Sequence, residues 1–410
     1  MNKKCLSLFI AVFLLTKMAF AQGGANIRTG DWLCKLQLND STSLPFHIRV
    51  KGTNVMILNG EEQIVIDYIK FDAQDSVFMR TPFFESEFRI KMTGDSVMTG
   101  SWINRGRKDK NVIPFSAHVL PKLTDFNSDN WNFAKAGGRW EVTFSPDSKD
   151  DSYKAVGLFK TDYRTLSGTF LTETGDYRYL YGEFTDPATF YMSCFDGAHA
   201  FLFRGKVKGD SIVNGRFYSG AHWQEPWGAK RNDKFELRNP DSLTYLKPGY
   251  SKIDFSFKDL EGKMVSLSDE KYKNKVVIVQ LMGTWCPNCV DETRFLSGFQ
   301  ALHSEQGLKV IALAFERTDD FDKAVKNVIN LKTRFRADYD FLITMKAGKD
   351  QASQALPMLN GIMAFPTTIF IDKKGVVRKI YTGFNGPATG DAYTRYVEET
   401  TRFVETLLKE

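Results

Sequence analysis

The sequence is poor in cysteine and histidine and nearly balanced in charge. Its 410 residues include five of each, and 55 lysines and arginines face 49 aspartates and glutamates, a formal net charge of +6. So few cysteines in a chain of this length exclude a small scaffold held by disulfides. The slight positive excess excludes a nucleic-acid module that works by bulk charge, and the 42% of hydrophobic residues excludes a disordered chain.

The apolar run at the N-terminus is too short to be a membrane anchor. Residues 6–15 fall well below the ~20 residues that cross a bilayer. The run follows Lys3 and Lys4, and residues 19–21 form a small-x-small cleavage site. This order is typical of a secretory signal peptide over residues 1–21. We therefore expect an exported, periplasmic protein without a transmembrane span in its mature chain.

The part of the chain after this leader begins with an all-β region at residues 22–245. Apolar residues alternate with polar ones in short segments such as residues 46–50, 64–66 and 200–203, which Gly, Asn and Asp turns separate. An apolar residue at every second position predicts a strand with one buried face. No amphipathic helix of useful length interrupts these segments, so we predict an all-β fold for this region.

Three short motifs in the first half of the β region return in the second half. The pairs are residues 30–32 and 138–140, 84–86 and 195–197, and 94–100 and 209–215. Two copies are fewer than the about three repeats that a solenoid needs. We predict two similar barrel-like or sandwich-like units, at residues 22–130 and 131–245, or one larger closed sheet.

Strands and helices alternate in the remaining residues, 246–410. Residues 276–281 are a continuous apolar run that predicts a buried strand, residues 290–303 predict a helix, and residues 310–315 predict a second strand. Residues 396–408 carry apolar side chains at helical spacing and predict a closing helix. This alternation predicts an α/β domain on a mainly parallel central sheet.

Two of the five cysteines lie close together, where the predicted strand meets the predicted helix. The Trp-Cys-Pro-Asn-Cys motif at residues 285–289 places Cys286 at the helix start, where unpaired backbone N–H groups favour a thiolate and lower the pKa. Pro287 suits the first helical turn, because its missing N–H costs nothing there. Cys289 follows one turn later, within reach of a disulfide. The motif therefore predicts thiol–disulfide exchange.

Zinc binding and an inert structural disulfide remain as other roles for the cysteine pair. Zinc would require two further ligands, but the C-terminal domain has a single histidine, His303, and no second close cysteine pair. A bridge this tight at a helix start is usually redox-active. A disulfide between Cys34 and Cys194 in the β region also remains open. We expect no organic cofactor and no metal.

Two segments resemble the TlpA/ResA-like branch of extracytoplasmic thioredoxin-fold proteins, which are related to the redoxin and AhpC/TSA proteins. They are residues 276–289 and the Ala-Phe-Pro-Thr-Thr-Ile-Phe-Ile-Asp segment at residues 364–372. The resemblance covers about residues 250–410 and implies a thioredoxin-like fold and a thiol-disulfide oxidoreductase. Related proteins of Bacteroidetes type attach varied β-rich regions to such a domain.

The resemblance also implies roles for individual residues. Cys286 would be the exposed nucleophile, Cys289 the resolving thiol and Pro366 a cis-proline that faces the disulfide; a trans-proline that opens a strand is the alternative. The residues expected to contact the substrate are Trp285, Pro287, Phe365 and Pro366.

Glu292 is the candidate for a catalytic base. It lies three residues after Cys289, and a partly buried carboxylate there has a raised pKa that suits it to take a proton. In ResA-like proteins a glutamate at this position serves that purpose. The alternative is a solvated glutamate that stabilises the helix dipole, a role that we assign to Asp291. Gln280 stands where ordinary thioredoxins carry a buried aspartate, and glutamine cannot accept the proton.

The dipeptide between the cysteines bears on the direction of the reaction. Pro287 and Asn288 supply no cation to stabilise the thiolate, so the disulfide should be less oxidising than that of strong oxidants. We therefore expect a reductase of protein disulfides that receives electrons from a membrane thiol donor. The alternatives are a thiol peroxidase, although Gly283 stands where peroxiredoxins carry threonine, and a ligand-binding or protein-binding module whose β region supplies the function.

Overall fold

The computed structural model describes residues 27–72, 75–121 and 131–410. The expected signal peptide at residues 1–21, including Cys5, lies outside the described residues. Within the described part the chain forms three β-sheets and four α-helices. None of the described helices is long and apolar enough to cross a membrane.

The first sheet is an antiparallel meander of nine strands whose first strand pairs with its last. The strands are β1 (Gly30–Asn39), β2 (Thr42–Lys51), β3 (Asn54–Asn59), β4 (Glu62–Ile66), β5 (Tyr68–Asp72), β6 (Ser76–Arg80), β7 (Ser86–Thr93), β8 (Val97–Asn104) and β9 (Val112–Val119). Their order in the sheet is β4-β3-β2-β1-β9-β8-β7-β6-β5. Alternate side chains of β2 are buried, as the period of two predicts.

The second sheet also has nine strands, and it closes into a barrel. The strands are β10 (Gly138–Phe144), β11 (Tyr153–Asp162), β12 (Thr165–Thr172), β13 (Gly175–Asp176), β14 (Leu180–Phe184), β15 (Thr189–Phe195), β16 (Ala200–Lys208), β17 (Ser211–Ser219) and β18 (Trp223–Arg231). Their order is β11-β10-β18-β17-β16-β15-β14-β12-β13, and β11 also pairs with β12. Aromatic rings in edge-on and tilted contact, among them Phe144, Phe170 and Phe203, fill the interior.

The first pair of repeated motifs lies at equivalent places in the two sheets. Trp32 on β1 and Trp140 on β10 are both fully buried. The indole Nε1 of Trp32 donates to the carbonyl of Arg28 at 3.0 Å, and that of Trp140 donates to the carbonyl of Ala136 at 2.8 Å. Each tryptophan therefore satisfies its buried N–H through a carbonyl four residues earlier, on the first strand of its sheet.

The C-terminal domain is a three-layer α/β structure with a mixed sheet. The elements are β19 (Ser256–Asp259), β20 (Met264–Ser266), β21 (Val276–Met282), α1 (Pro287–His303), β22 (Leu308–Ala314), α2 (Phe321–Phe335), β23 (Asp340–Ile343), α3 (Lys349–Ala355), β24 (Thr367–Ile371), β25 (Val377–Thr382) and α4 (Asp391–Lys409). The strand order is β20-β19-β23-β22-β21-β24-β25. The central strand β21 is buried along its whole length, as its continuous apolar run predicts.

Two predictions for this domain need correction. The sheet is not mainly parallel: β21–β22 and β22–β23 are parallel pairs, whereas β21–β24, β24–β25, β19–β20 and β19–β23 are antiparallel. Helices connect the parallel strands, and a tight hairpin connects β24 to β25, which forces them to run in opposite directions. Helix α3 is also absent from the predicted elements, because its seven mostly polar and small residues carry no apolar period.

The β region packs against the α/β domain on the side where α1 begins. The ring of Phe83, which precedes β7, stacks on Phe335 of α2 with centroids 5.3 Å apart. Arg334 of α2 forms an ion pair with Asp67, and Lys323 forms another with Glu85 at 2.8 Å. These contacts fix how the β region approaches the cysteine motif.

Candidate active site

The two cysteines of the motif lie at the N-terminus of α1, directly after the buried strand β21. Cys286 is the N-cap residue of α1, and its Sγ accepts the backbone N–H of Cys289 at 3.3 Å. Both are free thiols. Cys289 is fully buried, and burial, reinforced by the neighbouring Cys286, raises the pKa of its thiol well above the usual value. Cys289 therefore requires a base before it can act as a nucleophile.

The loop before β24 faces Cys286. The peptide bond between Phe365 and Pro366 is cis, so the alternative of a trans-proline does not hold. The Cys286 thiol donates to the carbonyl of Phe365 at 3.5 Å. Trp285 lies edge-on to the ring of Phe365, with centroids 5.7 Å apart, and its indole Nε1 donates to the carbonyl of Phe315 at 2.8 Å. Trp285 and Phe365 thus form an aromatic border beside the thiol.

Cys286 is not the exposed thiol that the sequence analysis expects, because only 8% of its surface is accessible. Part of the reason is the turn between β13 and β14 of the barrel, which covers the dipeptide between the two cysteines. The side-chain amide of Asn288 donates to the carbonyl of Asp176 at 3.2 Å. The guanidinium of Arg178 donates to the carbonyl of Pro287, also at 3.2 Å. The β region therefore limits access to the motif.

Asp291 is not the solvated first-turn acid that the sequence analysis expects. It is buried and forms an ion pair with Arg178, which is only 6% exposed. The same guanidinium lies 2.5 Å from Glu62 and 3.3 Å from Asp196. Burial raises the pKa of Glu62. Sequence reasoning missed this cluster, since the partners lie far apart in the chain and no local pattern connects them.

Glu292 is buried completely below the cysteine pair, so the alternative of a solvated glutamate does not hold. Three side chains donate to its carboxylate: Thr368 at 2.7 Å, Gln280 at 2.9 Å and Tyr396 at 3.4 Å. Burial raises its pKa to about 7, against the effect of these hydrogen bonds. The amide of Gln280 also donates to the carbonyl of Cys289 at 3.4 Å. The Gln280 amide on β21 thus connects the Glu292 carboxylate with the backbone of Cys289.

Cys34 and Cys194 lie apart from this site and from each other. Both are free and fully buried, Cys34 in the core of the first sheet and Cys194 in the core of the barrel. Burial raises the pKa of both thiols well above the usual value. The structure thus has no bridge between them, and both behave as small core residues.

Comparison with known proteins identifies the C-terminal domain as a redoxin. The Redoxin family model matches residues 247–395. The thiol-disulfide oxidoreductase ResA of Geobacillus thermodenitrificans is 31% identical over 140 residues, 34% of this chain and 72% of that protein. The thioredoxin-like protein YneN of Bacillus subtilis is 28% identical over 138 residues, 34% of this chain and 73% of that protein.

A crystal structure of a thioredoxin-family thiol:disulfide interchange protein from Chlorobium tepidum covers 38% of this chain and 95% of its own, with 23% identity and a TM-score of 0.29. From the sequence relatives, the chain belongs to the TlpA/ResA-like thiol-disulfide oxidoreductases and is an oxidoreductase. The predicted fold class is confirmed: a thioredoxin-like C-terminal domain follows an all-β region of many strands.

Proposed function

We propose that the protein is a periplasmic reductase of protein disulfides, with Cys286 as the nucleophile and Cys289 as the resolving thiol. One observation carries this proposal: the N–H of Cys289 donates to Cys286 Sγ at the N-terminus of α1. A backbone donor and the positive end of the helix dipole both favour a thiolate at this sulfur. Trp285 and Pro287 adjoin Cys286 in the chain, the carbonyl of Phe365 accepts the Cys286 thiol, and Pro366 follows Phe365. These four residues would contact the substrate.

The proposed reaction has two exchange steps. The Cys286 thiolate attacks one sulfur of the substrate disulfide, forms a mixed disulfide and releases the other substrate sulfur as a thiolate. Glu292 then takes the proton of Cys289, whose thiolate attacks Cys286 Sγ and releases the second substrate thiolate. Two electrons pass to the substrate, and the enzyme is left with a Cys286–Cys289 disulfide.

A membrane thiol donor would return two electrons to this disulfide and so complete the cycle. The proposed reaction requires neither an organic cofactor nor a metal, because sulfur atoms of the chain carry the electrons. The periplasmic location rests on the expected signal peptide at residues 1–21. Reduction rather than oxidation rests on the absence of a cation in the Pro287–Asn288 dipeptide.

Turnover of a protein disulfide tests the proposal. The purified protein should accelerate the reduction of insulin by dithiothreitol, and Cys286→Ser should abolish the acceleration. Cys34→Ala removes a thiol remote from α1 and should retain it. In cells, Cys289→Ser should accumulate mixed disulfides with substrate proteins, because resolution stops. A wild-type protein without insulin turnover, or an active Cys286→Ser variant, would show that the proposal is wrong.

A further inference from the structure

A cavity of about 220 Å³ lies between the β region and the redoxin domain, next to the residue that precedes Cys286. The redoxin domain contributes Thr284 and Trp285 to its wall, and the β region contributes Phe84 and Trp102. This volume is below the ~300–1,000 Å³ of common small-molecule pockets. The cavity therefore suits a side chain rather than a folded segment.

Three cations line this cavity. Arg107 and Lys110 come from the turn between β8 and β9, and Arg317 follows β22. The guanidinium of Arg317 lies 4.4 Å from the centre of the Trp285 ring, so one positive charge is placed against the border of the active site. Arg107 lies 3.7 Å from Asp109, a largely exposed carboxylate outside the cavity wall.

Two carboxylates in the wall, one fewer than the cations, already have partners of their own. Glu316 accepts the backbone N–H and the hydroxyl of Thr284 at 2.8 and 2.7 Å, and burial raises its pKa. Glu85 forms its ion pair with Lys323 of α2 at 2.8 Å. His222 also lines the cavity, and burial lowers its pKa to about 4, so it is neutral at pH 7. With three cations against two carboxylates, the wall of the cavity keeps a net positive charge.

A second cavity, of about 310 Å³, lies beside Pro287 and shares Phe84 with the first. Its wall contains three arginines, and its four acidic residues are Glu61, Glu62, Asp196 and Asp291. The ion pairs of Arg178 already join three of these acids. The two cavities thus differ in the balance of charge on their walls: three cations stand against two acids beside Trp285, whereas three arginines stand against four acids beside Pro287.

We propose that the cavity beside Trp285 binds an acidic side chain of the substrate polypeptide, next to the disulfide that Cys286 attacks. This inference rests on the proposed function and adds the class of substrate: protein segments in which aspartate or glutamate flanks a cysteine. The cavity supplies binding and orientation, while the exchange of sulfur bonds is unchanged. Electrostatic attraction between the cations of the cavity and this acidic side chain raises the rate at which the substrate disulfide encounters Cys286.

Two peptides of equal length, each closed by one internal disulfide, test the inference. One carries glutamate beside its cysteines and the other carries lysine. The reduced full-length protein is mixed with each peptide, quenched with acid and alkylated, and mass spectrometry counts the remaining Cys286 and Cys289 thiols. We expect about a tenfold larger second-order rate constant for the glutamate peptide at low salt, and a smaller ratio at high salt.

Variants locate the effect in the cavity. The double variant Arg107→Gln/Lys110→Gln should lower the rate with the glutamate peptide about tenfold and leave the rate with the lysine peptide unchanged or higher. Lys208→Gln, at an exposed position next to the β16–β17 turn, is the matched control and should change neither rate.

The outcomes separate this inference from the proposed function. Equal wild-type rates with both peptides, or a double variant that keeps the preference, would overturn the inference and leave the reductase intact. If neither peptide nor insulin oxidises the cysteine pair, both are wrong. The salt dependence of the wild-type protein provides a measurement that needs no variant.

Discussion

Glu292 combines complete burial with three hydrogen-bond donors, and these act on its pKa in opposite directions. The donors Thr368, Gln280 and Tyr396 favour the carboxylate, but burial disfavours its charge and prevails, so that the pKa rises to about 7. A base with a pKa near the working pH is the most effective acceptor of a proton. The residue therefore suits Cys289, whose own pKa is raised by burial.

Glu292→Gln should slow resolution of the mixed disulfide by about 100-fold, the lower end of what a general base contributes, and leave its formation unchanged. In the wild-type protein the rate of resolution should rise with pH through about 7, as Glu292 loses its proton; the variant should lack this rise. Rapid-quench experiments measure both steps. Glu305→Gln, at an exposed position after α1, is the control. Equal slowing of both steps would contradict a role in resolution.

The same pKa shift predicts how stability depends on pH. Glu292 has an ordinary pKa of 4.5 and about 7 in the folded state, so between these values the folded protein binds more protons than the unfolded chain. The stabilising contribution of Glu292 to the free energy of unfolding is therefore fully present below pH 4.5, and it is lost as pH rises through 7. Relative to the wild-type protein, Glu292→Gln should thus gain about 3 kcal/mol in free energy of unfolding from pH 4 to pH 8.

Urea denaturation of the wild-type protein and of Glu292→Gln measures the difference in their free energies of unfolding. The experiments are done under reducing conditions at several pH values. Glu305→Gln should show no such trend. A difference that is constant over the whole pH range would mean that the glutamate has an ordinary pKa in the folded protein.

At the scale of the single element, close approach of strands explains one glycine of the repeated motif. Gly215 lies on β17, where a Cβ atom would stand 2.2 Å from the carbonyl oxygen of Trp227 on β18. No carbon atom fits at that distance from a backbone oxygen. Gly100, at the equivalent place in the first copy of the motif, would place a Cβ 2.0 Å from the carbonyl oxygen of Arg89.

Gly215→Ala should therefore lower the free energy of unfolding by about 3 kcal/mol, because β17 and β18 must move apart to admit the methyl group. Gly298→Ala is the matched control. Gly298 lies in α1 with open space around the position of a Cβ atom, and alanine there should stabilise the protein by about 0.5–1 kcal/mol. Thermal and urea denaturation compare the two. Equal effects would contradict the steric argument.

At the scale of the whole molecule, a buried arginine joins three parts of the chain. Arg178 comes from the barrel and contacts Glu62 of the first sheet and Asp291 of the redoxin domain. It also donates to the carbonyl of Pro287 between the cysteines. Loss of its charge would leave buried carboxylates without their cation, a change that commonly costs about 3–5 kcal/mol.

Arg178→Gln should both destabilise the protein and loosen the cover over the motif. We expect Cys286 to react several-fold faster with iodoacetamide under native conditions, with labelled residues identified by mass spectrometry. Arg216→Gln, at an exposed position on β17, should change neither stability nor labelling. If Arg178→Gln is destabilised but labels at the wild-type rate, the contact stabilises the fold without controlling access to Cys286.

Much of the fold and the chemical core of the site follow from the sequence. The alternation of apolar residues indicates the strands of the β region, and the run before the motif indicates β21, because these signals reside in neighbouring residues. The same holds for Cys286, Cys289 and Glu292, whose spacing along one helix start brings them together. The cis bond before Pro366 was expected only through the resemblance to a family.

Only the tertiary structure decided what surrounds that core. The limited exposure of Cys286, the burial of Asp291 and the cation cluster beside Trp285 all depend on how the β region packs against α1. Arg178 meets Glu62 and Asp291 across more than a hundred residues of chain, and no local pattern records such a contact. Local sequence thus determined the chemistry of the cysteine pair, whereas packing between distant segments decided which molecules can reach it.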